Sequence, residues 1–195
     1  MKVLPIYTYG FDVLRKKTKR ITKVDDALIA LAQNMLYTMH KANGIGLAAP
    51  QIGKDLAMTV IDVSEIEGYE DEKPLILINP KVIETHGSIV LEEGCLSIPH
   101  LRASVERPKQ IYVEYQDLDL NKKTIELDDL FGRVSQHEID HLNGVLFIDH
   151  LAKEQRNMLK KDLNDIKNGL VQSTYILAEV PSKKKNGRKS PLNNI

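Results

Sequence analysis

Residues 130–143 read LFGRVSQHEIDHLN, and within them His137 and His141 stand four apart with Glu138 directly after the first. The apolar spacing of this stretch predicts a helix, with Asp128 and Asp129 in front of it as caps. On a helix, side chains at i and i+4 share a face about one turn apart. Both imidazoles can therefore reach one cation, and the neighbouring carboxylate can hold a water there. A chance match on a polar helix face yields the same five letters, so the pattern does not decide the chemistry by itself.

Upstream of this helix the pattern is β-rich. Short runs at 58–63, 75–84, 88–93, 103–106, 110–115 and 124–127 alternate with polar punctuation, and the acidic stretch SEIEGYEDEK (64–73) reads as a surface loop. Residues 25–43 read as an amphipathic helix. Leu28, Leu31, Ala32, Met35 and Met39 form its core face, Asp25 is its N-cap, His40 and Lys41 suit its negative end, and Asn43-Gly44 is its stop. A last helix is expected over about 152–168. The order helix, strands, helices predicts an α+β fold with short mixed or antiparallel strands packed around the helix that carries HEIDH, flanked by an N-terminal and a C-terminal helix.

The 195 residues are 42% hydrophobic and 28% charged, enough apolar material for one core, which excludes collagen-like, coiled-coil and wholly disordered chains. No run approaches the roughly 18 apolar residues of a membrane span, and the first residues lack a secretory apolar stretch, so a cytoplasmic protein is expected. Net charge is zero, but residues 181–195 hold five of the 27 bases and none of the 27 acids. The expected division is one domain over 1–180 and a basic, disordered tail over 181–195.

A metal site needs a third protein ligand. Continuing from His141, Gly144 matches the glycine of the metzincin pattern, but Phe147 stands where its third histidine would be. The candidates left open are Glu154, Asp162 and Asp165 downstream, the histidines at 40, 86, 100 and 150, and Cys95. Cys95 is the only cysteine and cannot form an internal disulfide; it lies in EEGCLSIP (92–99), just after a predicted strand. The alternative, a small buried hydrophobe, is the commoner fate of a lone cysteine. A further cluster, GIGLAAPQ (44–51), lacks the strand and the Lys-Ser/Thr of a phosphate loop. It leaves close backbone approach by a ligand, with Gln51 offering an amide.

Taken together, GIGLAAPQ (44–51), EGCLS (93–97) and QHEIDH (136–141), in this order, resemble the three signatures of the peptide deformylases, over roughly residues 1–170. The resemblance is to the bacterial type with a helical C-terminal segment. It implies Cys95, His137 and His141 as metal ligands and Glu138 as general base and then acid. The backbone N–H of Leu96 and the amide of Gln51 would be oxyanion donors, and Gly46 would let substrate backbone lie alongside. The implied reaction is hydrolysis of the formyl group from N-terminal formylmethionine of nascent chains by a metal-bound water.

Ile45, Leu130 and Val134 are the expected methionine walls, each equally readable as ordinary core. Glu93 and Arg102 either brace the cysteine strand or meet substrate. One divalent ion is implied, ferrous iron in the cell, with zinc, nickel or cobalt accommodated by the same donors. No membrane or DNA partner is expected. The C-terminal helix or the basic tail (Lys183, Lys184, Lys185, Arg188, Lys189) is expected to hold the protein near ribosomal RNA, which low-salt co-sedimentation with ribosomes would register. The rival readings are an HExxH zinc protease with a downstream acidic ligand, and a non-catalytic metal-binding scaffold.

Overall fold

The computed structural model describes residues 1–181, so the tail from residue 182 onward, with its expected disorder and docking role, lies outside the described residues. In chain order the main elements are α1 (Asp26–Lys41), β1 (Gly46–Ala48), β2 (Met58–Ile61), β3 (Leu75–His86), β4 (Ile89–Cys95), β5 (Ile98–Arg107), β6 (Gln110–Gln116), β7 (Lys122–Asp128), α2 (Asp129–Leu142), α3 (Lys153–Met158) and α4 (Lys160–Lys167). This is the α+β architecture expected. Five strands form an antiparallel sheet in the order β1-β2-β3-β6-β7, and β4 pairs with β5 in a separate antiparallel hairpin. Among the described residues, the parallel pairings are isolated bridges, Ile6 with Leu177 and Lys19 with Leu56.

The Asp25 carboxylate accepts from the Leu28 N–H at 3.0 Å, capping α1 as its sequence suggests. Its buried face is Leu28, Ala32, Met35 and Met39, joined by Thr38, whose hydroxyl accepts from the Leu4 N–H and donates to the Asn34 carbonyl. At the far end Asn43, not a glycine, takes the left-handed backbone (φ 53°), and the Gly44 N–H turns back to the Met39 carbonyl. β2 is buried on both faces. Met58 and Val60 pack with α1, while Ile61 joins Val113, Phe131, Val134 and Ile139 on the side of α2. A third cluster ties the β4–β5 hairpin, through Ile98 and Val105, to Phe147, Ile148, Leu163 and Ile166.

Helix α2 is buried along its length, every residue from Phe131 to Ile139 included. At Gly132 a side chain would bring a Cβ to 2.8 Å from the Leu127 carbonyl oxygen, so the helix lies directly against the end of β7. Three expectations need correction. Asp128 occupies the cap position but its side chain caps nothing; the Leu130 N–H donates instead to the Tyr69 hydroxyl at 3.3 Å, which ties the acidic loop to the helix start. The single helix over 152–168 is two, broken at Leu159, because only the second piece carries buried anchors, Leu163 and Ile166. Residues 46–48 form a strand that three residues of Gly-Leu-Ala do not announce; pairing with β2 makes it one. Among the described residues, no helix is long and apolar enough to cross a membrane.

Candidate metal centre

β4 delivers Glu93 and Cys95, two apart on the strand, to the face of α2 that carries His137 and His141. The Cys95 Sγ lies 3.2 Å from His141 Nε2, and one donor atom from each of Cys95, His137 and His141 falls within 4.8 Å of the others. Among the described residues this is the one group of three or more such donors. The other candidates are occupied elsewhere. His40 pairs with Asp62, His86 with Glu84, His150 with Asp140, and His100 donates to the Gln172 carbonyl. Glu154 and Asp162 are exposed and Asp165 half-buried on α3 and α4, outside the cluster. The downstream-acid alternative therefore has no ligand at this centre.

One sulfur and two imidazole nitrogens suit a divalent transition ion, and a thiolate leaves such an ion one net positive charge. The fit extends behind the ligands. Glu93 is 5% exposed and its carboxylate accepts from His137 Nδ1 at 3.0 Å, from Arg107 at 2.6 and 3.1 Å and from Arg133 at 2.8 Å. Burial alone would raise its pKa, but the hydrogen bonds from His137 and Arg107 hold it well below the usual carboxylate range. An ionised carboxylate only accepts, so a proton sits on Nδ1 of His137 and Nε2 is the nitrogen that faces an ion, which would displace the second proton that the metal-free site favours. Arg133 also donates to the carbonyls of Val105 and Ile89, and Arg107 reaches Asp140 on α2. The Glu93 oxygens are engaged by His137, Arg107 and Arg133, an arrangement that braces the helix against the hairpin.

This network has a measurable weight in folding. Glu93→Gln keeps the shape but removes the charge that compensates two buried guanidinium groups. Breaking one side of a buried ion network typically costs about 3–5 kcal/mol. A loss of that size in urea unfolding of the metal-free protein is expected, and a loss under about 1 kcal/mol would show the network to be energetically idle.

Glu138 is buried against β1, and burial, opposed by the His137 charge, lifts its pKa to about 7. Its Oε2 has no hydrogen-bond partner among the described residues. Gly46 explains how a strand comes so near: a Cβ there would lie 2.5 Å from Glu138 Oε1 and 2.7 Å from Val134 Cγ1. Gln51 sits in a 3-10 turn (Ala49–Ile52); its Oε1 accepts from the Ala48 N–H at 2.7 Å, which aims Nε2 at the Cys95 Sγ, 3.6 Å away.

These groups line one cleft of about 490 Å³, with Ile45, Gly46, Leu96, Leu130 and Val134 on its walls. Ile45, Leu130 and Val134 both face this cleft and belong to or pack on the core cluster around α2. Ile66 of the acidic loop also reaches the cleft, and Arg102 stands at its exposed rim, paired with Glu92.

Sequence reasoning missed Arg107, Arg133, Asp140 and Tyr175. Arg133 had a signal, since it lies one turn before His137 on the same face, and Asp140 stands inside HEIDH itself, where it meets Arg107 and His150; Arg107 and Tyr175 are brought in from distant segments.

A family model described as "Polypeptide deformylase" matches residues 3–157. The curated peptide deformylase of Prosthecochloris aestuarii is 43% identical over 178 residues, covering 91% of this chain and 96% of that protein. That of Chlorobaculum parvum is 44% identical over 176 residues, covering 90% and 94%. Among solved structures, the peptide deformylase from Thermus thermophilus superposes with a TM-score of 0.79 at 36% identity, over 87% of this chain and all (100%) of that one. One from Legionella pneumophila gives 0.78 at 34% identity, over 87% and 98%.

Proposed function

The chain belongs to the polypeptide deformylase family, metal-dependent hydrolases that remove the N-formyl group from nascent peptides, and from that premise we propose how its own residues divide the work. Cys95, His137 and His141 hold the divalent ion, and the observation that carries this is the convergence of their three donor atoms beside Glu138. When bound, the ion supplies Lewis acidity that makes water a nucleophile at neutral pH and polarises the formyl oxygen.

Glu138 takes one proton from the attacking water as its oxygen bonds to the formyl carbon, then passes that proton to the departing amine as the C–N bond breaks, leaving formate and a free N-terminus. The Leu96 N–H and the second N–H of the Gln51 amide, whose carbonyl is fixed by Ala48, stabilise the oxyanion in between. Among the described residues β1 is an edge strand, paired only with β2, so substrate backbone can lie along its other side at Gly46. Ile45, Leu130 and Val134 take the methionine side chain. A formyl carbon bears only hydrogen, and crowding at the centre rejects acetyl by clash.

The ion in the cell is ferrous, and the enzyme acts in the cytoplasm, where formylated chains emerge. The test is anaerobic purification with metal analysis, followed by assay on formyl-Met-Ala-Ser and its acetyl analogue. About one iron per chain and hydrolysis of the formyl peptide alone are expected. Stoichiometric zinc, or equal cleavage of both peptides, would overturn the iron and the selectivity readings respectively.

A further inference from the structure

β4 and β5 are joined by two residues, Leu96 and Ser97, between the paired Cys95 and Ile98. Two-residue hairpin turns are normally self-sufficient when their central residues adopt positive φ, as glycine and asparagine do. Neither Leu96 nor Ser97 does so. The pairing slips between Gly94–Arg102 and Cys95–Ile98, and His100 in the slipped stretch takes a left-handed φ of 67°. Local geometry therefore does not fix the two peptides that meet at Leu96.

External hydrogen bonds fix them. The Leu96 carbonyl accepts from the Tyr175 hydroxyl at 2.8 Å, the Ser97 carbonyl from the Tyr9 N–H at 2.8 Å, and His100 Nε2 donates to the Gln172 carbonyl at 2.7 Å. The segment 172–178 is itself anchored on the N-terminal arm. The Ile6 N–H donates to the Ile176 carbonyl at 2.9 Å and the Ala178 N–H to the Ile6 carbonyl at 2.8 Å. One residue on, the Tyr7 N–H donates to the Gln51 carbonyl at 2.7 Å. Arm and C-terminal segment thus grip the backbone of both oxyanion-donor residues from behind.

We propose that Tyr175 is a positioning residue for deformylation: by holding the Leu96–Ser97 peptide through the Leu96 carbonyl it fixes the backbone at Leu96, and with it the adjoining Cys95–Leu96 peptide, so that the Leu96 N–H faces the developing oxyanion. This rests on the reading of Leu96 as an oxyanion donor. Tyr175 is 79 residues away in sequence and stands on the wall of the same cleft. Burial raises its phenol to a pKa of about 12, so the hydroxyl is a donor throughout the working pH range.

Tyr175→Phe keeps the ring and removes only the donor. Loss of an oxyanion donor itself costs about 10²–10³ in kcat, and a misaimed donor less. For the nickel-loaded enzyme with formyl-Met-Ala-Ser, a fall in kcat of about tenfold is expected, with KM within about twofold and metal content unchanged. A second protein carries an ester between Cys95 and Leu96, made by replacing Leu96 with its α-hydroxy acid, which deletes the N–H; about a 10²-fold fall is expected. In that background Tyr175→Phe should cost no further kcat.

If the ester lowers kcat but Tyr175→Phe leaves it at the wild-type value, or only raises KM, Tyr175's positioning role is overturned and the donor reading stands. A lowered unfolding midpoint with unchanged kcat likewise reduces Tyr175 to a structural contact. If the ester has no effect, the donor reading falls and takes this inference with it.

Discussion

Glu138→Gln is expected to bind its metal as the wild type does and to lose about 10²–10⁴-fold in kcat on formyl-methionyl peptides. The substitution is close to isosteric, so the tight approach of β1, where a Gly46 Cβ would lie 2.5 Å from Oε1, is undisturbed. No hydrogen bond among the described residues is lost at Oε2. What disappears is the capacity to accept a proton from water and return it to the amine; in the metal-free protein burial lifts this carboxyl to about 7. The same burial makes the carboxylate unfavourable in the folded state. The metal-free neutral variant is therefore expected to unfold at the same temperature as the metal-free wild type or slightly higher, which separates loss of chemistry from loss of structure. Measured together, metal content, melting temperature and kcat discriminate: a metal-loaded, folded variant with wild-type turnover would remove Glu138 from the mechanism.

How much of this site is legible in the chain depends on how far each interaction reaches. His137, Glu138 and His141 are legible because helical geometry converts a spacing of four into a shared face, and α2 forms where that spacing lies. Cys95 is only one of several candidate ligands in the sequence, since nothing local tells a strand-end thiol which way it points; the hairpin's docking on α2 decides it. Gly46 reads as backbone approach, and the reason for it is a contact with residues almost ninety positions later. The arginines are the clearest failure. Arg107 and Arg133 are each buried, 5% and 4% exposed, in a chain where charged side chains are ordinarily solvated. The Glu93 carboxylate, supplied from another element and shared by both, makes that burial tolerable, helped by Asp140 at Arg107 and by the Val105 and Ile89 carbonyls at Arg133. Helix α1, whose cap, face and stop are all local, is readable nearly to the residue, whereas the break at Leu159 follows from which half finds the core.

Cys95→Ala is the counterpart on the metal side, and its expected effect is larger on binding than on folding. Removing the sulfur leaves two neutral imidazoles, which supply neither the third bond nor the negative charge that partly neutralises the ion. Loss of a group merely hydrogen-bonded to a ligand typically weakens metal binding by about 10–100-fold. Loss of the ligand itself should exceed that, to at least about 10³-fold, with hydrolysis lost in proportion. The apo fold should change little, because Cys95 is half-buried at a strand end and its one sulfur-directed amide, Gln51 Nε2, keeps its carbonyl anchor at Ala48. Cobalt loading gives a readout independent of turnover: a thiolate ligand produces sulfur-to-cobalt charge-transfer absorption in the near ultraviolet, and the variant should lack it. Retained stoichiometric metal and retained activity in Cys95→Ala would require the third ligand to come from elsewhere. The acids of α3 and α4 would have to reach the centre by unfolding from their present places, because the structure positions none of them within it.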